Sequence, residues 1–324
     1  MRAAHAIKLK TVICKEVPVP QSEANTVLVK TKLASICGSD LHVVNMGYTS
    51  YASDFPLPYG APGHEGLGEI IDIGSTNFNP GEIVLTVPNI YSSKTFADFQ
   101  VIEPQYLVKL PPDIPEDKLL MAQQLATVDY SCKHIDVIEE MTVAVIGQGS
   151  AGLFHNFILK HYGASKVMAI EPISHRRSIS KDFGADEVID VTGSKAIDAI
   201  LDLTNGLGVD VVIEAVGSIE TLNQAIAMCK TNGRVQAFGL PTTIKPVPFD
   251  WDSFFRKRLT INSNFGSQDE PELASVKNAI KFIANDEIDM GKIVTHSFPI
   301  ENIQESFHFA EMRDEGMVKI VITF

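Results

Sequence analysis

The chain is poor in the residues that staple a fold or cross a membrane. Its 324 residues include four cysteines, Cys14, Cys37, Cys132 and Cys229, far apart and with no Cys-x-x-Cys pair. That excludes a disulfide framework and a four-cysteine zinc knuckle. No run approaches the roughly 18 apolar residues that a membrane span needs. The opening Met-Arg-Ala-Ala-His-Ala-Ile-Lys lacks the apolar core of a secretory leader, so the cytoplasm is the expected compartment. Basic residues are scarce as well: 27 Lys and Arg against 40 Asp and Glu leave a net charge of −13. Such a balance argues against nucleic acid or an anionic membrane as partner and for a small-molecule ligand. Internal repeats and low-complexity tracts are absent, and a chain of this length and composition accommodates two globular domains.

What is present is organised around Val143-Ala-Val-Ile-Gly-Gln-Gly-Ser-Ala-Gly152. Four residues reading as a buried strand enter Gly147-x-Gly149-x-x-Gly152, and an apolar helical segment comes next. Glycines at that spacing allow a tight turn, bring bare backbone against a pyrophosphate and let the helix pack close to its strand. Gln148, Ser150 and Ala151 lie between them, where backbone N–H groups and the positive end of the helix dipole meet phosphates. Glu171, nineteen residues beyond Gly152, ends the next predicted strand, Lys166-Val-Met-Ala-Ile-Glu171. A carboxylate there accepts hydrogen bonds from an adenosine ribose and repels a 2′-phosphate, which favours NAD over NADP. Arg176 and Arg177 come soon after and read as a solvated helix face.

Around this loop the texture is of two kinds. Up to about Leu120, short β-like runs such as Thr26–Leu33, Gly68–Gly74, Glu82–Val87 and Ala97–Ile102 are punctuated by Pro62-Gly63 and Pro80-Gly81 turns, the pattern of a mostly antiparallel β domain. From a helical segment at Glu116 to about Asp136 onwards, strands and helices alternate as far as Leu259–Asn264. Near-continuous apolar strands such as Val209–Val216 suit a parallel sheet covered on both faces. A helix at Leu273–Asn285, another at Ile300–Arg313 and a strand at Val318–Phe324 close the chain. The fold class expected is α/β: a β-rich domain over 1–122 and 265–324, and a doubly wound nucleotide-binding domain over 123–264.

A second constellation, Cys37-Gly-Ser-Asp-Leu-His42 and then Gly63-His64-Glu65-Gly66, lies in the β-rich part. Taken singly, a cysteine is most often a small buried hydrophobe. Together, Cys and His are ligands that Zn²⁺ selects, and a catalytic zinc keeps three protein ligands and one open position.

With both constellations in hand, the chain resembles the zinc-dependent medium-chain dehydrogenases, the alcohol and polyol dehydrogenase family, over essentially its full length. The resemblance implies a GroES-like catalytic domain, a Rossmann NAD domain and a returning C-terminal segment. It implies that Cys37 and His64 ligate zinc and that Glu65 matches the Glu ligand of the sorbitol dehydrogenase branch. It places Ser39 at the substrate oxygen, His42 on a proton path to solvent, and Asp40 behind the ligating histidine. Gln123 stands where the family often has a Glu or Cys, as a ligand or as the holder of zinc-bound water. The family's structural-zinc lobe is missing after Glu82–Val87, so one zinc per chain is expected. The implied reaction passes a hydride between NAD and a secondary alcohol, a polyol or sugar first, with the pocket wall drawn from Met46–Tyr59 and Phe265. Arg258–Asn264 resembles the family's last Rossmann strand, which implies a homodimer or homotetramer. The competing readings are a zinc-free, NADP-dependent quinone or enoyl reductase of the same superfamily, and a non-catalytic dinucleotide sensor.

Overall fold

The computed structural model describes residues 1–47, 54–74, 77–136, 138–243, 245–313 and 316–324. Two compact units emerge, one of residues 1–126 and 267–324, the other of residues 127–266.

The first unit is built on β3 (Val27–Ile36), and β1 (Arg2–Lys8) with β2 (Thr11–Glu16) form an antiparallel hairpin beside it. Small residues dominate Ala3-Ala-His-Ala6, which carries little strand preference, so the hairpin is not legible in the sequence. A short helix, α1 (Gly38–Met46), leaves the end of β3, and β4 (Glu65–Asp72), β5 (Ile83–Thr86), β6 (Phe99–Ile102) and β7 (Leu107–Lys109) come after it. The unit is completed by α9 (Ala274–Ala284), β14 (Val294–Pro299), α10 (Ile303–Met312) and β15 (Lys319–Thr323). The sheet runs β14-β15-β3-β4-β5-β7, with β6 also on β3. Two registers meet at one end of β3: Ser35 faces Glu65 across β3 and β4, while Ile36 faces Ile320 across β3 and β15. The end of β3 is thereby flanked by the first residue of β4 and the second of β15. Under it, Ile36, Val43, Phe96, Phe307, Ile320 and Ile322 share one core, with Phe96 and Phe307 edge to face at 5.8 Å. Each such fully buried side chain is worth about 1.5–3 kcal/mol.

Where one helix is expected from Glu116 to Asp136, there are two, α2 (Glu116–Leu120) and α3 (Ala122–Lys133). The Met121 N–H bonds to the Lys118 carbonyl, an i→i−3 contact that tightens the turn and separates them. The boundary between units falls within α3.

The second unit is a six-stranded parallel sheet: β8 (Thr142–Ile146), β9 (Lys166–Ile170), β10 (Glu187–Ile189), β11 (Val209–Glu214), β12 (Cys229–Ala237) and β13 (Thr260–Asn262). The order β10-β9-β8-β11-β12-β13 reverses direction between β8 and β11, the switch point of a doubly wound nucleotide-binding sheet. The connecting helices are α4 (Ser150–His161), α5 (Ser174–Ile179), α6 (Ser194–Leu203), α7 (Ile219–Met228) and α8 (Trp251–Lys257). Both faces of the central strands are closed: Ala144, Met168 and Val212 join Ala196, Ile200 and Ala225 in one cluster, while the alternate residues Val143, Val145, Val167, Val211 and Ile213 are equally buried. The α/β class expected from the sequence is the one observed. No helix among the described residues is long and apolar enough to cross a membrane.

Candidate metal and cofactor site

Cys37 succeeds the last residue of β3 and occupies the N-cap of α1; Asp40 lies in that helix's first turn. The Asp40 carboxylate is fully buried and holds two donors, the Cys37 backbone N–H and the His64 ring at Nδ1, both at 2.8 Å. An acceptor at Nδ1 fixes the ring's tautomer and leaves Nε2 as the ligating atom. Nε2 lies 3.4 Å from the Ser39 hydroxyl. Burial works against a charged imidazole at His64, but the Asp40 carboxylate outweighs it and holds the pKa well above the ordinary 6.5. Burial in turn raises the Asp40 carboxyl.

Glu65 opens β4, in a stretch whose glycines admit no side chain. A Cβ on Gly66 would lie 2.0 Å from the Thr95 methyl, and one on Gly68 would lie 2.2 Å from the Lys30 carbonyl. Buried beside β3, Glu65 accepts a hydrogen bond from Ser35 through Oε2, and the same oxygen is 2.6 Å from the Lys319 ammonium. Burial opposes its ionisation, yet Lys319 prevails and the Glu65 pKa is lowered. Its other oxygen, Oε1, is buried with no hydrogen-bond partner.

Among the described residues, one donor from each of Cys37, His64 and Glu65 lies within 4.8 Å of the others. A thiolate, an imidazole nitrogen and a carboxylate oxygen are a zinc donor set, and the partnerless Oε1 is the kind of atom a cation completes. The residues present fit the metal. His42 lies one turn beyond Ser39 on α1 and is half-buried, which lowers its pKa. Gln123 and Gln124 both begin α3 and are buried; Gln124 reaches Cys37, its Nε2 lying 3.7 Å from Sγ. Of the expected pocket wall, residues 48–53 lie outside the described residues.

In the second unit the three glycines have three separate reasons. Gly147 sits at φ +91°, a left-handed conformation that a side chain resists. A Cβ on Gly152 would fall 1.9 Å from the Gly147 carbonyl. Gly149 has only the Arg176 Nη1, 3.9 Å away, near where its Cβ would stand, so bare backbone is left open there. Gly149 caps α4 without any side-chain acceptor for the first-turn N–H groups of Ser150 and Ala151. These features fit a pyrophosphate.

Two details of the loop differ from expectation. The Gln148 N–H, expected to face the pyrophosphate, donates to Glu171 Oε2 at 2.7 Å, and Glu171 Oε1 accepts from Ile173 N–H at 2.9 Å. Glu171 is therefore 4% exposed and ties the loop to its own strand end, each oxygen keeping a further lone pair. Arg176 is not on a solvated face: it is buried, with its guanidinium beside Gly149.

Residues that sequence reasoning misses are Ser35, Lys319 and Gln124. Lys319 has a signal, a lone lysine inside the apolar run Val318-Lys-Ile-Val-Ile-Thr-Phe324, since a buried lysine requires a partner. Ser35 and Gln124 have none, because strand register and helix rotation decide what they touch.

Residues 23–112 match a family model described as an alcohol dehydrogenase GroES-like domain, and residues 151–285 match one described as a zinc-binding dehydrogenase. An L-threonine 3-dehydrogenase of Proteus mirabilis is 26% identical over 329 residues, covering 94% of either chain. Among solved structures, the alcohol dehydrogenase TADH from a Thermus species matches with a TM-score of 0.84 at 24% identity, covering 100% of both chains. A putative zinc-binding dehydrogenase from Sinorhizobium meliloti, bound to NADP, matches with a TM-score of 0.84 at 19% identity, covering 100% of this chain and 99% of that one. Structures at these identities speak for the fold.

Proposed function

The chain belongs to the zinc-type medium-chain dehydrogenases, and from that premise we propose that it oxidises a secondary alcohol, or reduces the corresponding ketone, with one catalytic zinc and NAD. The observation that carries this reading is the convergence of Cys37, His64 and Glu65 within 4.8 Å, with Glu65 Oε1 buried and partnerless. Bound there, zinc supplies Lewis-acid polarisation of the alcohol oxygen, and the nicotinamide supplies the hydride acceptor. The chain's own residues do the rest. Cys37, His64 and Glu65 hold the metal, and Gln123 is the candidate for holding a water beside it. Asp40 keeps the His64 ring in one tautomer. Ser39 takes the substrate's hydroxyl proton, and His42, with its pKa lowered by burial, passes a proton on towards solvent as a neutral base. The open backbone at Gly149 and the first-turn N–H groups of Ser150 and Ala151 carry the cofactor's phosphates, Gly147 and Gly152 shape the turn, and Gln148 is tied to Glu171, whose remaining lone pairs face the adenosine ribose.

NAD is favoured because the Glu171 carboxylate repels a 2′-phosphate. Steady-state kinetics with both cofactors test this, and a clear preference for NADP overturns it. Polyols and sugars lead the substrate ranking, and the threonine-acting relative adds hydroxy amino acids to the panel. The deciding experiment is metal analysis of the purified protein together with NAD reduction across these alcohols. About one zinc per chain and turnover of a secondary alcohol support the reading; a metal-free protein returns it to a zinc-free reductase or a dinucleotide sensor.

A second copy is the proposed partner of the last strand. β13 ends the six-stranded sheet with Thr260 and Asn262 exposed, and the preceding helix leaves Trp251 and Phe255 64% and 68% exposed. An open edge beside exposed aromatics is a surface that pairing across a two-fold axis covers. Sedimentation gives a dimer or larger on this reading; a strict monomer refutes it.

A further inference from the structure

We propose that Gln124 is a positioning residue of the metal site: its side-chain amide donates an N–H to the Cys37 sulfur and so limits how much charge that sulfur gives to a bound metal. This rests on the reading of Cys37, His64 and Glu65 as metal ligands. Gln124 is 7% exposed on α3, with Nε2 3.7 Å from Cys37 Sγ, while its Oε1 is buried and has no hydrogen-bond partner. The amide's orientation is the informative part. Turning it over would set a carbonyl oxygen against a thiolate, two acceptors facing each other. The observed orientation instead leaves the carbonyl unpartnered. With its N–H on the sulfur and its carbonyl unpartnered, the buried Gln124 amide is oriented by its contact with Cys37.

The chemistry comes from the sulfur lone pairs. An N–H···S contact draws density from the thiolate, so the sulfur donates less to the metal and the metal stays a stronger Lewis acid towards an alcohol oxygen. It also orients the Cys37 side chain, the one ligand that is only half-buried. Asp40 does the corresponding work for His64, and Lys319 with Ser35 does it for Glu65. With Gln124 included, each of the three donors has its own outer partner, the arrangement by which metal sites hold their ligands in place.

The test uses the full chain loaded with Co²⁺ in place of zinc, comparing the native sequence with Gln124→Met, which keeps volume and helix preference but has no N–H. The native protein gives a thiolate-to-cobalt charge-transfer band. In the variant that band moves to longer wavelength, while the ligand-field bands that report the number of ligands stay in place. An unmoved charge-transfer band in a folded variant overturns the proposal. If Gln124→Met does not fold by circular dichroism, Gln124→Leu likewise has no donor; the same shift is then required of it, and its absence is equally fatal. A native protein without any thiolate charge-transfer band instead defeats the metal-site reading itself, a failure seen before any variant is made.

Discussion

The glycine loop of the second unit and the donor cluster of the first are built by opposite means. The loop is made of backbone within six consecutive residues, and its requirements are negative: no Cβ at Gly147, Gly149 or Gly152. The donor cluster is made of side chains from four separated stretches, and its requirements are positive: Asp40 behind His64, Lys319 and Ser35 behind Glu65, Gln124 behind Cys37. A site made of backbone shows in the spacing of a sequence; a site made of side chains shows only in part, because register and rotation choose the partners.

The largest expected effect lies on the side-chain half. Cys37→Ser removes the one soft donor, so metal per chain should fall from about one to near zero and NAD reduction should fall to background. Mass-spectrometric metal analysis and turnover of the same preparation measure both. A metal-free Cys37→Ser protein with full activity breaks the comparison at its root.

Behind the loop lies a group that sharpens it. His155, in α4, is fully buried against Phe238; its Nδ1 donates to the Ala151 carbonyl at 2.8 Å and its Nε2 has no partner. Burial pushes its pKa down to about 4. The unfolded chain, with an ordinary value near 6.5, then takes up the proton first as pH falls. Stability is full above about pH 6.5, declines between there and about pH 4, and loses no more from this group below that. The gap corresponds to about 3 kcal/mol. Urea unfolding midpoints from pH 7 to 4 should show this fall in the native chain and a shallower one in His155→Phe. Equal slopes would mean that the helix beneath the loop does not depend on a neutral histidine.

The glycines themselves differ in a measurable way. Gly152→Ala places a methyl 1.9 Å from the Gly147 carbonyl, an overpacking worth about 1–3 kcal/mol, and lowers both melting temperature and cofactor affinity. Gly149→Ala meets only the Arg176 guanidinium at 3.9 Å, so thermal stability holds while the cofactor's dissociation constant rises. Titration of NADH fluorescence and a melting curve separate the two. Identical behaviour of both variants would mean that the loop is a folding element and not a phosphate cradle.

Legibility divides along the same line. The Gly147–Gly152 spacing, the alternation of strands and helices and the clean parallel order of the second unit are readable, because period and glycine placement are local properties. Cys37, His64, Glu65 and Asp40 are named through the resemblance of their two motifs to a family, and the structure brings those four side chains together. Lys319 signals only that it needs a partner and Ser35 signals nothing, since only the antiparallel registers that set Ser35 against Glu65 and Ile36 against Ile320 bring them together. Gln123 is singled out by its match to a family position, and nothing in the sequence says that its neighbour Gln124, about 100° round the helix, faces the sulfur. Arg176 is misjudged for the same reason.

Asp40 gives the most discriminating of the smaller effects, since it belongs to both kinds of construction. One carboxylate oxygen takes a backbone N–H from Cys37 and the other takes the His64 ring, each at 2.8 Å. Asp40→Asn keeps the shape but offers one acceptor where two are needed, and turns an NH₂ towards one of the donors. Either the helix start or the imidazole must then give way. If the ring yields, metal affinity should fall ten- to hundredfold, with the melting temperature of the metal-free protein nearly unchanged. If the helix start yields, the melting temperature falls and affinity falls with it. Chelator competition beside a melting curve separates these outcomes. A variant that keeps both properties would show that the His64 ring is held by packing alone, and the contrast between a backbone site and a wired side-chain site would no longer stand.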